Sequence, residues 1–346
     1  MKAAYIEKHG GLEEIRIGNL EPPVCKPNEV LVKTAYSGLN HLDIFVTAGW
    51  AGLNLKFPHI LGSDGCGKVL ELGSAIQNSS IRVGNMVTIN PGTSCGECSI
   101  CESGNQNFCD KFSIKGEFEQ GTFAEQFSIP AANVLKIPDG FPLNEAAAAP
   151  LSYLTAWRML TTKTHVKVGD IVFIQGGSGG VSICALQIAK YFGAIVIVST
   201  STEEKAKKIR NLGADHVINY KENPDYLKFV YKDLTQRKGC DIVVDSVGTL
   251  TFENSLRLLK KGGKLVTCGA TTGPTSKINL NSVFWNQLEI LGSTMSNQKE
   301  FREVMELVFN GKLKTVIGKE FSLSEAQKAE KYLNSGNNFG KIVLKI

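Results

Sequence analysis

The sequence of 346 residues lacks features that would point to a membrane or to nucleic acid. No apolar run reaches the roughly 20 residues that a transmembrane helix needs, so we expect no membrane span. The first residues contain no apolar segment of signal-peptide length, which favours a cytoplasmic protein. The net charge of +5 is spread along the chain without a basic stripe, so we expect no nucleic-acid partner and no binding to a membrane surface.

The composition is that of an ordinary folded protein, with 42% hydrophobic and 21% charged residues. A chain of this length usually divides into two domains. From residue 1 to about 150, short apolar runs are separated by Gly, Pro and Asn. They include Val30–Thr34, Lys68–Leu72 and Met86–Ile89. They predict a β-rich, barrel-like or partly open first domain over residues 1–150.

The pattern changes after residue 150, where strands alternate with helices. Ile171–Gln175 is a short apolar strand without polar alternation, which is typical of buried parallel strands. The helix Val181–Phe192 and the strand Ile195–Ser199 follow it. Strands separated by helix-length segments predict a doubly wound parallel sheet of Rossmann type over residues 151–290. The predicted fold class is therefore α/β, with a second, β-rich domain.

The sequence also indicates where a later helix begins and how the chain ends. Ser201 and Glu204 form the S-x-x-E pattern of a capping box, which predicts a helix start at this point. Residues 291–346 have the pattern of two helices and a last strand, Lys341–Ile346. We expect this final segment to return to the first domain.

Four cysteines have the close spacing C-x2-C-x2-C-x7-C of a metal site: Cys95, Cys98, Cys101 and Cys109. Four thiolates complete the tetrahedral shell of a zinc ion, so such a site would be structural. The surrounding loop, about residues 92–110, has little apolar surface to bury without a metal. Free thiols, two disulfides and an iron–sulfur cluster are the alternatives. The absence of a secretory segment argues against disulfides, and the spacing of the cysteines leads us to expect one structural zinc per chain.

A glycine-rich loop joins the strand Ile171–Gln175 to the next helix. Glycines let the backbone approach a pyrophosphate, and a helix N-terminus supplies N–H donors and a positive dipole. In this loop the third fingerprint glycine is replaced by Ser182. A glycine-rich turn without a ligand is the alternative to a dinucleotide site. The residues predicted to bind the cofactor are Gly176, Gly177, Ser178, Gly179, Gly180 and Val181.

The end of the second strand favours NADP over NAD. An acidic residue there would accept a hydrogen bond from the ribose 2′-hydroxyl of NAD, but this chain has hydroxyl residues at the strand end. Ser201 and Lys205, with Tyr220 from the next strand, could instead bind a 2′-phosphate. The alternative for Lys205 is a solvated lysine on a helix.

The β-rich first domain, the four-cysteine lobe and the Rossmann series together resemble the medium-chain dehydrogenase/reductase superfamily over the whole chain. The resemblance implies a GroES-like catalytic domain and a dimer or tetramer. Zinc alcohol dehydrogenases of this family take catalytic ligands from G-x-C-H-x-D and G-H-E-x-x-G segments. This chain has Asn40 and Ser63 at those two ligand positions, and the third, a cysteine, would fall near Leu151 or Ser152. All three expected ligands are missing.

In these segments the chain is similar to the quinone oxidoreductase and enone reductase branch. The resemblance implies that Asn40, Asp43 and Thr155 lie beside the nicotinamide as catalytic residues. His41 matches a family histidine that reaches the cofactor phosphates, and its alternative is a position on the surface. The alternatives for Asn40 and Asp43 are a loop-capping asparagine and an aspartate that orders its own loop. The four-cysteine lobe departs from this branch, because most of its members lack one.

Alcohol oxidation requires removal of the hydroxyl proton, which a zinc ion makes easy. Reduction of a polarised C=C bond produces a delocalised anion that needs only hydrogen-bond donors. We therefore hypothesise an NADPH-dependent reductase of small enones, quinones or enoyl thioesters. One alternative is an alcohol dehydrogenase whose metal site is rebuilt from Asp64 with His41 or His59. Another is an NADPH-binding regulatory protein with little turnover.

Overall fold

The computed structural model describes residues 1–77 and 80–346. In this part of the chain, no helix is both long enough and apolar enough to cross a bilayer. The strands are β1 (Lys2–Ile6), β2 (Arg16–Asn19), β3 (Glu29–Gly38), β4 (His59–Ile60), β5 (Asp64–Leu72), β6 (Met86–Ile89), β7 (Gly92–Thr93), β8 (Ser113–Ile114), β9 (Gln126–Pro130), β10 (Val134–Lys136), β11 (Ile171–Ile174), β12 (Ile195–Thr200), β13 (His216–Asn219), β14 (Cys240–Val244), β15 (Leu259–Thr267), β16 (Glu289–Gly292), β17 (Ile317–Ser322) and β18 (Lys341–Lys345). The helices are α1 (His41–Ala48), α2 (Ser99–Glu102), α3 (Leu143–Ala148), α4 (Pro150–Arg158), α5 (Gly180–Tyr191), α6 (Glu203–Asn211), α7 (Tyr226–Phe229), α8 (Phe252–Arg257), α9 (Leu280–Asn286), α10 (Gln298–Phe309) and α11 (Ala326–Asn334).

The chain folds into two compact units. The first contains Met1–Leu151, Ser296–Gly311 and Thr315–Ile346, and the second contains Ser152–Met295 and Lys312–Lys314. Most of the carboxyl-terminal segment is therefore part of the first unit.

The first unit is built on a mainly antiparallel seven-stranded sheet. Its strand order is β10-β6-β5-β3-β18-β17, and β9 also pairs with β3. Val30, Val32 and Val69 are buried in the core of this sheet, as expected for inward-facing positions of alternating strands. The pairing of β18 with β3 sets Val343 opposite Gly38, which brings Lys341 close to the chain that follows β3.

Strand β17 was not predicted from the sequence. The final segment contains the two predicted helices, α10 and α11, and the predicted strand β18, but β17 adds a parallel neighbour to β18. Only Phe321 of β17 is buried. A strand at the edge of a sheet needs few apolar residues, so the sequence carried little signal for it.

The second unit has the predicted Rossmann sheet. Six strands lie in the order β13-β12-β11-β14-β15-β16, and every neighbouring pair is parallel. Val172, Phe173 and Ile174 of β11 are fully buried, which agrees with their uninterrupted apolar pattern. Gly193 follows α5 with φ +77°, a left-handed conformation that ends the helix. The prediction of an α/β fold is confirmed.

The predicted start of α6 was wrong by one residue. The N-cap is Thr202, whose hydroxyl accepts a hydrogen bond from the backbone N–H of Lys205 at 3.3 Å, and Ser201 is not the cap. The reason is that β12 continues to Thr200, which pairs with Asn219. Ser201 is thereby left between the strand and the helix.

Candidate active site

The four cysteines of the lobe converge on one point. The sulfur atoms of Cys95 and Cys101 lie 3.8 Å apart, those of Cys98 and Cys109 3.8 Å, and those of Cys95 and Cys109 3.5 Å. A tetrahedral zinc with bonds of about 2.3 Å requires sulfur–sulfur separations of about 3.8 Å. All nine cysteines of the chain are free thiols, so no disulfide competes for these sulfurs. The four side chains fit a tetrahedral zinc ion.

Backbone N–H groups of the lobe favour the thiolate form that a metal requires. The N–H groups of Glu97 and Cys98 lower the pKa of Cys95 to about 6. The N–H of Cys101 acts in the same direction on Cys98, although the neighbouring thiols and burial raise the pKa of Cys98 to about 11. The N–H of Lys111 donates to the sulfur of Cys109 at 3.3 Å. These donors come from the same short segment as the ligands, so the lobe organises its own binding groups.

A second polar centre, which we call the Asp64 cluster, is buried in the first unit. It comprises Asn40, Asp43, Asp64, Glu330 and Lys341. Oδ1 of Asp64 accepts a hydrogen bond from the backbone N–H of Leu151 at 2.8 Å. Oδ2 of Asp64 accepts from the Asn40 carboxamide and from the Lys341 ammonium, each at 3.0 Å. The carboxylate of Asp64 therefore has partners from three distant parts of the chain.

Asp43 joins the start of α1 to the loop before β5. Its Oδ2 accepts from the N–H of Asn40 at 2.7 Å, and its Oδ1 accepts from the N–H of Gly62 at 3.2 Å. Burial raises the pKa of Asp43 to about 7, although these N–H groups and the charge of Lys341 act in the opposite direction. The contacts assign Asp43 a clear structural role, and catalytic roles for Asn40 and Asp43 stay predictions.

The predicted nucleotide site lies in the second unit, between β11 and α5. Gly176 has φ +65°, and Gly179 is the N-cap of α5. A Cβ at Gly177 would lie 2.1 Å from Cγ1 of Val198, so the loop can pack against β12 only with glycine there. A Cβ at Gly179 would meet open space, where a pyrophosphate can approach the N–H groups of the helix. At the third fingerprint position, the hydroxyl of Ser182 donates to the carbonyl of Gln175 at 3.2 Å.

Two of the residues predicted to select NADP, Ser201 and Tyr220, directly follow the paired strands β12 and β13, and the third, Lys205, lies in the first turn of α6. The N–H of Tyr220 donates to the carbonyl of Thr200 at 3.0 Å, which places Tyr220 beside Ser201. The nearby acids Glu203 and Glu204 are in ion pairs on α6 with Arg210 and Lys208. Both carboxylates are therefore paired with basic residues of their own helix.

A buried polar network at the same end of the sheet was missed by sequence reasoning. Asp245, directly after β14, accepts hydrogen bonds from the N–H of Val247 at 2.8 Å and from the hydroxyl of Ser255 at 2.6 Å. Ser255 also accepts from the amide of Gln175 at 3.1 Å, and Gln175 accepts from Ser199 at 2.8 Å. The only sequence signal was an acid at the end of a buried strand. The network fixes the loops that flank the predicted cofactor site.

Comparison with known proteins agrees with this architecture. Residues 26–139 match the model of the alcohol dehydrogenase GroES-like domain, and residues 180–310 match that of zinc-binding dehydrogenases. An NAD-dependent alcohol dehydrogenase of Sulfolobus acidocaldarius is 32% identical over 100% of both chains. The chain belongs to the zinc-type alcohol dehydrogenase-like medium-chain dehydrogenase/reductase superfamily. It is an NAD(P)-dependent oxidoreductase.

Two further relatives of this dehydrogenase/reductase show how wide the chemistry of the family is. An acryloyl-coenzyme A reductase of Sulfurisphaera tokodaii is 31% identical, over 94% of this chain and 95% of the relative. The crystal structure of an NAD-dependent alcohol dehydrogenase superposes with a TM-score of 0.95 at 40% identity, covering 100% of both chains.

Members of this family bind zinc. The cysteine lobe and the Asp64 cluster of this chain differ in how well their side chains fit a zinc ion. The four cysteines are the only set of three or more metal-type side chains that the described residues gather closely enough for one ion. At one family ligand position, the carboxamide of Asn40 accepts a hydrogen bond from Lys341 and donates one to Asp64. At another, the buried hydroxyl of Ser63 has no hydrogen-bond partner among the described residues. A catalytic zinc does not fit the Asp64 cluster.

The other predicted site residues stay predictions. His59 lies with its Nε2 3.1 Å from the carbonyl of Gly116, and burial lowers its pKa. Burial, followed by the charge of Lys341, also lowers the pKa of His41 at the start of α1. Thr155 is buried on α4 in the second unit.

Sequence reasoning missed Lys341 and Glu330. Lys341 is the one charged residue at the start of the otherwise apolar run Lys341–Leu344, and that position was the only sequence signal.

Proposed function

We propose that the protein is an NADPH-dependent reductase of polarised C=C bonds or quinones that works without a catalytic metal. The observation that carries this proposal is the environment of Asp64, whose carboxylate accepts hydrogen bonds from an ammonium and a carboxamide at 3.0 Å each. These two bonds occupy both lone pairs of Oδ2 of Asp64, so this oxygen has none left for a metal ion. The hydride acceptors that fit a metal-free site are enones, quinones and enoyl thioesters.

The reaction demands little from the protein beyond position and hydrogen-bond donors. A bound nicotinamide cofactor supplies the hydride. The resulting enolate or hydroquinone-like anion is delocalised, so donors can stabilise it without a Lewis acid. A proton from solvent or a weak acid completes the reduction, and the rate then depends mostly on orientation.

The similarity to an acryloyl-coenzyme A reductase supports this substrate class, because acryloyl-coenzyme A is an enoyl thioester. The alternative is an alcohol dehydrogenase, which is supported by the 32% identical relative and the superposed structure. An alcohol dehydrogenase would require a second metal site that the described residues do not assemble.

The proposal includes one zinc in the cysteine lobe and assembly into a homo-oligomer. Strand β16 ends the order of the parallel sheet, and α9 precedes it. On α9, Leu280, Phe284 and Trp285 are 71%, 65% and 73% exposed. A large exposed apolar surface beside a sheet edge is typical of a protein–protein contact.

The preference for NADPH can be tested on α6. In Lys205→Ala we expect the ratio of kcat/KM with NADPH to that with NADH to fall about tenfold, because a charge-assisted bond to the 2′-phosphate is lost. Lys207→Ala is the control, since Lys207 is an exposed lysine of the same helix. An unchanged ratio in Lys205→Ala would argue against NADPH selection by this lysine.

The function itself is tested by metal content and turnover on the same preparation. Zinc per chain is measured by elemental analysis, and NADPH oxidation is followed with a quinone, an enone and acryloyl-coenzyme A. We expect one zinc per chain and turnover of at least one of these acceptors. Two zincs per chain with alcohol oxidation would establish the alternative, and tight NADPH binding without any turnover would favour a regulatory protein.

A further inference from the structure

A half-open cavity of about 950 Å³ lies in the first unit, and it is lined neither by the four cysteines of the lobe nor by the Asp64 cluster. Its walls come from the chain before β3, the segment that leads into β4, the turn after β8 and strand β9. The volume is within the range of about 300–1,000 Å³ that is typical of small-molecule sites. The apolar part of the wall, which suits a ligand with an apolar body, includes Leu20, Pro23, Val24, Phe57, Ile60 and Phe127.

Lys115 is a buried basic residue in this wall. It directly follows β8, and its backbone N–H donates to the carbonyl of Pro91 at 2.9 Å. The side chain is only 7% exposed. Its nitrogen lies 4.0 Å from Oε2 of Glu119 and has no hydrogen-bond partner in the described part of the chain. A buried amine without a hydrogen bond is costly in free energy, and a molecule in the cavity can offset that cost.

The charged groups around Lys115 come from three elements. Burial lowers the pKa of Lys115, and Lys26 before β3 adds to this effect. Glu119 in the turn after β8 and Glu29 at the start of β3 oppose it only in part. The carboxylate of Glu29 also accepts a hydrogen bond from the ammonium of Lys26 at 3.0 Å. On β4, the charge of Lys115 is one of the groups that lower the pKa of His59. Lys115 therefore has a larger fraction of uncharged, nucleophilic amine near neutral pH than a lysine in water.

We propose that Lys115 is a nucleophilic lysine that forms an imine with aldehydes carrying an apolar body. The lone pair of the amine attacks the carbonyl carbon, and the new C–N bond gives a carbinolamine. The hydroxyl group then leaves as water while the C=N bond forms, so that one aldehyde and one amine give one imine and one water without oxidation or reduction. Glu119 is placed to accept the proton released in the addition and to return it to the leaving hydroxyl group.

A neutral carbonyl group fits this position better than an anion. A carboxylate ligand would approach Glu119 and Glu29 as well as Lys115, and repulsion between like charges would weaken its binding. The carbonyl oxygen of an aldehyde accepts a hydrogen bond without adding a charge, and the apolar wall covers the rest of the molecule. The site is separate from the proposed reduction and does not depend on it.

The test treats the full-length, zinc-loaded protein with hexanal in the absence of NADPH, and then with cyanoborohydride, which reduces an imine to a stable secondary amine. Peptide mass spectrometry measures the fraction of each lysine that carries a hexyl group. Lys56, an exposed lysine that lines the same cavity, is the internal control. We expect Lys115 to be modified about tenfold faster than Lys56 at pH 7, because a desolvated amine is the stronger nucleophile there.

Variants and a second aldehyde test the role of the amine and of the apolar wall. Lys115→Arg keeps the charge but removes the nucleophile, so modification at this position should disappear while Lys56 reacts as before. Lys56→Arg is the matched control and should leave the rate at Lys115 unchanged. Glyoxylate, an aldehyde that carries a carboxylate instead of an apolar body, should modify Lys115 about tenfold more slowly than hexanal.

The inference is overturned if Lys115 is modified no faster than Lys56, or if glyoxylate modifies it as fast as hexanal does. It is also overturned if hexanoate slows the reaction of Lys115 more than hexanol does, because the cavity would then be a site for anions. Lys115 and Lys56 are compared within the wild-type protein, so this part of the test does not require any variant to fold.

Discussion

The cysteine lobe and the Asp64 cluster lie in the same unit, yet they organise charge in opposite ways. The lobe gathers four thiols from one short segment, with the sulfurs of Cys95 and Cys109 3.5 Å apart. The Asp64 cluster gathers side chains from β5, α1, α11 and β18 and carries its own cation, Lys341. Four thiolates in the lobe would need an external ion to neutralise them, whereas the cluster is held together by internal hydrogen bonds. The comparison shows that one unit can hold two groups of polar side chains, one that fits a metal ion and one that is held together by its own ion pair.

The largest effect is expected from Cys101→Ser, which removes one of the four predicted zinc ligands of the lobe. Cys101 is buried at 4% exposure, and loss of one thiolate removes much of the binding free energy, which in zinc-finger peptides is roughly 10–16 kcal/mol. We expect zinc content to fall from one per chain to near zero and the thermal midpoint to drop by about 10 °C, measured by elemental analysis and circular dichroism. Cys25→Ser, outside the lobe, is the control. Retention of zinc in Cys101→Ser would contradict a four-thiolate site.

A smaller effect is expected in the cluster with Asp64→Asn. The substitution keeps the shape of the side chain but leaves Lys341 buried without its ion-pair partner, and breaking such a pair typically costs about 3–5 kcal/mol. Urea unfolding should show this loss, with zinc content unchanged. Asp139→Asn, at an exposed aspartate of the same unit outside the lobe, is the control, and equal stabilities of the two variants would mean that the ion pair contributes little.

The sequence predicted the lobe fully and the cluster only in part. The lobe could be predicted because ligands that lie within 15 residues of one another converge through local turns. Asn40 and Ser63 were recognised as departures from the family pattern. Lys341 could not be assigned to them, because it lies 301 residues from Asn40 and only the pairing of β18 with β3 brings the two together.

The smallest effect concerns Glu330, whose two carboxyl oxygens are buried without a hydrogen-bond partner among the described residues. Burial, followed by the charge of Asp43, raises the pKa of Glu330 well above its usual value. A group with a raised pKa in the folded state contributes stability below its unfolded pKa of about 4.3, and this contribution is lost as the pH rises through the folded pKa.

The stability of Glu330→Gln relative to the wild-type protein should therefore increase as the pH increases. We expect the difference in thermal midpoint, variant minus wild type, to be about 3 °C more positive at pH 8 than at pH 5. Glu320→Gln, on the exposed edge strand β17, is the control. The same difference at both pH values would show that Glu330 titrates normally.

The sequence alone determined the local features of this protein: the parallel strands, the glycine loop, the four-cysteine lobe and the missing ligands at Asn40 and Ser63. Each of these depends on residues close together in the chain, where spacing and periodicity carry the information. The tertiary structure decided the cap at Thr202, the edge strand β17 and the environment of Asp64. These depend on strand pairing between distant segments, so the partner that neutralises Asp64 becomes visible only when the chain is folded.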